Sequence, residues 1–155
     1  MSDTAPQATL DALRRLLLAI LFFGLLGTGT ELILIGHDED GWQMVPLVVL
    51  AIAVLASLMM VTMRSTSSAL AATHLFRGAM VLLMLSGATG SVLHFRAGME
   101  FKREVDPSLS GFALFSSVVQ AKAPPALSPG TLALLGLLGF ACVFRLDPPA
   151  SHRNS

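Results

Sequence analysis

Residues 16–36 form 21 consecutive positions with a single ionisable side chain, Glu31. At about 1.5 Å per helical residue the run covers the ~30 Å hydrocarbon core of a bilayer. Backbone polar groups in lipid must be satisfied within the segment, so the run is expected to be a helix. Three further apolar stretches follow, at about 44–63, 75–95 and 128–144. Hydrophobic residues make up 54% and charged residues 13%, about half the roughly 25% charged share of soluble domains. The chain therefore reads as an all-α membrane protein, a four-transmembrane-helix up-and-down bundle with an outer amphipathic interfacial helix.

The segments between the runs suit that plan. A cytoplasmic tail, 1–15, ends in Arg14 and Arg15 directly against the first run. That run continues past Gly-Thr-Gly-Thr-Glu into apolar residues 32–35, which suits a retained span better than a cleaved leader. The stretch 37–43 is short enough for a tight turn between antiparallel helices, with Trp42 at headgroup depth. Pro46 is tolerated early in the second span, where helical N–H groups have no intrahelical acceptor. Residues 64–74 connect to the third span, where Arg77 can snorkel to the interface.

An outer loop, 96–127, holds Leu109, Phe112, Phe115, Val118 and Val119 at helical spacing, with Ser108, Ser117, Gln120 and Lys122 between them. This predicts an amphipathic helix over about 108–122, lying on the membrane or capping the bundle. Pro124 and Pro125 stop it, Ser128 is the expected N-cap of the last span, and a second cytoplasmic tail covers 145–155.

Orientation follows from the basic residues. With the N-terminus inside, Arg14, Arg15, Arg64, Arg77, Arg145 and Arg153 are cytoplasmic, against Arg96, Lys102, Arg103 and Lys122 outside. Ten Lys and Arg balance ten Asp and Glu, so there is no basic field for nucleic acid. Cys142 stands alone and cannot close an intramolecular disulfide, and the absence of tyrosine removes tyrosyl chemistry. The sequence holds no nucleophile–base pair, phosphate-binding glycine loop or haem attachment motif.

Glu31 is the first candidate for function, because an intramembrane carboxylate is costly to hold. Its helix face reads Gly24, Gly27, Thr28, Glu31, and the third span carries a matching seam of Gly87, Gly90, Ser91 and His94. Small residues let helices approach closely. Glu31 is therefore expected inside the bundle facing that seam, with His94 or Arg96 nearby, as an intramembrane ionisable site. Interhelical hydrogen bonding would explain the same carboxylate without any catalytic or coupling role. A second candidate is a divalent metal site on the outer face, from His37, Asp38, Glu39 and Asp40 with His94 and Glu100. A solvated acidic turn explains the same residues. Seven of the eight methionines, among them Met60, Met80 and Met84, are spaced as core filling rather than as copper ligands.

The strings Gly-His-Asp-Glu-Asp-Gly-Trp-Gln at 36–43, His-Phe-Arg-Ala-Gly-Met-Glu-Phe at 94–101 and Ala-Pro-Pro-Ala-Leu-Ser-Pro-Gly-Thr at 123–131 resemble those of small uncharacterised bacterial four-helix integral membrane proteins. The resemblance spans about 31–140 and implies a bacterial inner membrane without implying an activity. Three readings of function stay open. One is a non-enzymatic accessory or assembly module, in contact with another membrane protein or with itself. Another is a small oligomeric proton- or ion-coupled transporter using Glu31. The third is an outer-face metal-binding or redox protein using His37, the acidic turn and His94.

Overall fold

The computed structural model describes residues 4–36, 41–63, 67–121 and 127–144. They form five helices, with no strand among them: α1 Thr4–Leu34, α2 Met44–Thr62, α3 Ala69–Val105, α4 Gly111–Val119 and α5 Leu127–Cys142. Three stretches, Pro6–Leu34, Met44–Thr62 and Ala69–Val105, are long and apolar enough to cross a membrane.

Each long helix turns one stripe inward. Buried positions are Leu21, Leu25, Thr28 and Leu32 on α1, and Leu50, Ala53, Ser57 and Met60 on α2. On α3 they are Ala72, Phe76, Ala79, Met80, Leu83 and Gly87. These spacings of three and four residues place each set on one helical face. The outward face of α2 is mostly bulky and apolar, with Val48, Ile52, Leu55, Leu58 and Val61 exposed. Lipid suits such a face, since exposed apolar side chains are costly only against water.

The helices pack as a ring, α1 on α2, α2 on α3, α3 on α5 and α5 back on α1. Helices α1 and α3 are diagonal and share no backbone approach within 8 Å among the described residues. Where α3 meets α5, glycine permits near contact of backbones. A Cβ at Gly87 would meet the Pro129 carbonyl oxygen at 2.5 Å and the Ala133 nitrogen at 2.6 Å, and one at Gly136 would meet the Met80 carbonyl oxygen at 2.7 Å. In a lipid-like medium such packing, rather than exclusion of water, holds helices together.

Several helices outrun the apolar runs. α1 starts at Thr4, so most of the expected tail 1–15 is helical. Its early turns contain good helix formers, and Arg14 pairs with Asp11 three residues earlier at 3.7 Å. α3 starts at Ala69 and continues through 96–105, for roughly 55 Å in all. Lys102 and Arg103 in its last turn favour the negative end of the helix dipole. It ends where Pro107 forces the preceding Asp106 into extended backbone, φ −139° and ψ 95°. The Asp106 carboxylate then accepts the Ser108 N–H at 3.0 Å and the Ser108 hydroxyl at 2.6 Å. These bonds hold its carboxyl below the ordinary value of 3.8.

α4 covers 111–119 rather than 108–122, because Gly111 at φ 53° and the Pro107 turn delay its start. α5 opens at Leu127, so Ser128 falls within its first turn instead of capping it. Its 16 residues reach about 24 Å, short of the length that marks a span by itself.

Candidate functional site

The register of the ring decides which candidate residues can meet. A Cβ at Gly24 would press on Leu135 of α5, and Cβ atoms at Gly87 and Gly90 of α3 would meet Pro129. Pro129 precedes Leu135 by six residues, about 9 Å along the helix. Gly90 therefore lies at the level of Thr30 and Glu31, and His94 about one turn further along α3.

Glu31 occupies an exposed position on α1. The face expected for it divides in the fold. Thr28 is buried at 6% exposure and Gly24 is half-buried against Leu135, while Gly27 and Glu31 are exposed. The α3 seam that Glu31 was expected to face is filled by α5. Pro129 and Ala133 occupy the space over Gly87 and Gly90, and the Ser91 hydroxyl donates to the Gly87 carbonyl at 2.9 Å. Within one chain the structure does not bring Glu31 to that seam, because α1 and α3 stand at opposite corners of the ring.

His94 and Arg96 are exposed on α3, two residues apart and so on different sides of the helix. Glu100 is exposed six residues beyond His94, about 9 Å along the axis and on another face. His37, Asp38, Glu39 and Asp40 lie outside the described residues. Among the described residues no three His, Cys, Asp or Glu side chains gather where one metal ion could be held. Met60 and Met80 are fully or nearly buried among Leu and Phe side chains, as core filling requires.

One arrangement was not legible in the sequence. The Arg14 side chain is only 12% exposed, and its guanidinium donates to the Phe144 carbonyl at 3.1 Å. A cation at the end of α5 meets the carbonyls that the helix leaves unpaired. Read along the chain, Arg14 is an interface anchor. Only the return of α5 to α1, 130 residues later, shows its second partner.

The fold thus assembles a tight α3–α5 seam and a fastened α5 end, and distributes the ionisable candidates over separate outward faces. No protein-family model, no curated protein and no solved structure matches the chain.

Proposed function

We propose that the chain is a four-span protein of a bacterial-type inner membrane, with both termini cytoplasmic, acting as a non-enzymatic accessory or assembly module. The observation that carries the fourth span is the path of α5. Pro129 lies on Gly87 and Gly90, Gly139 lies on Met80 and Phe76, and the helix end reaches Arg14. α5 therefore runs antiparallel to α3 beside its apolar part and shares whatever medium surrounds that part. A 16-residue helix can do so because long neighbours enclose it.

The accessory role is supported by where the remaining mass lies. Beyond the apolar helices, the described chain offers one outer body: residues 96–105 of α3 and the short helix α4 packed on α3. Exposed Phe101 and Val105, one turn apart on α3, stand beside exposed Glu100, Arg103 and Glu104. An apolar pair rimmed by charge is the usual composition of a protein contact.

Co-purification from native membranes tests this reading. The full chain is expected to bring down a stoichiometric membrane partner that Phe101→Asp with Val105→Asp releases. A chain that purifies alone from native membranes, or a reporter after Ser155 active only outside, would overturn it.

A further inference from the structure

α4 presents three different sectors. Leu114 and Val118, one turn apart, are buried against α3. A Cβ at Gly98 would meet Val118 Cγ1 at 3.0 Å, so the two helices are in close contact there. Ala113, Ser116, Ser117 and Gln120 form a small and polar sector, with the Gln120 amide donating to the Ser116 hydroxyl at 2.9 Å. Between these lies a third sector, Phe112, Phe115 and Val119, exposed by 81%, 49% and 49%. A helix that only capped the bundle would need no more apolar arc than α3 covers, and on α4 that arc continues beyond it.

The position of this further apolar arc identifies what covers it. The Phe115 ring lies 5.5 Å from that of Phe95, and Phe112 stacks on Phe115 at 6.3 Å. Phe95 closes the apolar run 75–95, and exposed Arg96 follows it. The aromatic row thus begins on the part of α3 suited to lipid and continues along α4 without a break. Phenylalanine on one face of a short helix, opposite a polar sector, is a composition that sets a helix into the headgroup–acyl boundary.

We infer that α4 lies in the outer interface of the same bilayer that α3 crosses, with Phe112, Phe115 and Val119 set into the acyl boundary and the Ser and Gln sector in water. The inference rests on the membrane-spanning reading of α1, α2 and α3. It is independent of any protein partner. Residues 107–121 carry no Asp, Glu, Lys or Arg, so apolar area rather than attraction to anionic lipid holds the helix. α4 then fixes the depth at which α3 leaves the membrane and directs residues 96–105 into water.

Tryptophan placement tests this in the full chain reconstituted into phosphatidylcholine vesicles. Trp42 is replaced by Phe, and single tryptophans are introduced as Phe112→Trp, Ala113→Trp and, within α2, Ile52→Trp. Phe112→Trp is expected to lose roughly half of its emission when the acyl chains are brominated, while Ala113→Trp stays near its full emission and is reached by acrylamide. Adding phosphatidylglycerol should leave the pattern unchanged.

Ile52→Trp should be quenched by the bromine in every case. If it is not, the membrane reading of α2 itself fails. If Ile52→Trp is quenched and Phe112→Trp is as open to acrylamide as Ala113→Trp, the interfacial placement is overturned. Shielding of Phe112→Trp from both quenchers would overturn it as well, because protein would then cover the sector.

Discussion

Two faces of this molecule carry small residues in the same kind of helical pattern and meet different fates. On α3 and α5, Gly87, Gly90, Gly136 and Gly139 are filled by the facing helix, closely enough that an added methyl would strike backbone or side-chain atoms. Toward the C-terminal end of α1, a Cβ at Gly27 would meet nothing within 4 Å, and Thr30 and Glu31 beside it are exposed. A small-residue stripe thus marks a surface that permits close approach without naming the helix that approaches. At α3 the neighbour is the last helix of the chain. At α1 the ring is already closed by α2 and α5, and the face points outward.

The largest effect should separate the two faces directly. Gly136→Leu forces a side chain against the Met80 carbonyl and Met84, and is expected to cost about 3 kcal/mol in reversible unfolding from mixed micelles. Gly27→Leu, placed in open space, should change the same measurement by less than about 0.5 kcal/mol. Equal costs would mean that Gly27 is covered as closely as Gly136.

A smaller effect is expected where α5 is tied to α1. Arg14→Met keeps the stem of the side chain and removes the donor to the Phe144 carbonyl, for about 1 kcal/mol. The loss should appear as faster hydrogen exchange in the last turn of α5, with Arg14→Lys restoring part of the protection. Unchanged exchange in Arg14→Met would show that the α3 seam alone holds α5.

The smallest effect concerns the turn after α3, which contrasts with the packed α3–α5 seam in that Asp106 and Ser108 are exposed. The Asp106 carboxyl titrates below 3.8 in the folded chain because the ionised form accepts both Ser108 donors. A depressed folded pKa contributes stability that is complete above the unfolded value and is lost as pH falls through the folded one. Protection of the Ser108 amide should therefore persist as pH falls to 3.8 and be lost only below it, as pH passes through the folded value. An Asp106 titration midpoint at or above 3.8 would break this assignment.

Apolar length was legible because it is a property of consecutive residues. Residues 75–95 lie wholly within α3, and 16–36 and 44–63 lie within α1 and α2 apart from their last two and last one positions; the stop before Pro107 follows from local sterics. The extensions of α1 to Thr4 and of α3 to Val105 were missed because a polar helix end leaves no apolar signature, although its residues favour helix just as well. The depth match between Glu31 and the seam of α3 was also readable from helical rise. Their separation was not, since two faces at one depth can still point away from each other.

What could be read along the chain is therefore one-dimensional: which segments hold an apolar helix, which of them are long enough to cross a membrane, and at what height along its own helix each polar residue lies. The tertiary structure alone decided the neighbours: α5 in the seam of α3, Arg14 on the end of α5, Phe115 on Phe95, and Glu31 outward. The physical reason is that helix formation depends on hydrogen bonds four residues apart. The partner of a helix face depends instead on which of several similar surfaces packs with the fewest gaps, and that choice is made between segments far apart in the chain.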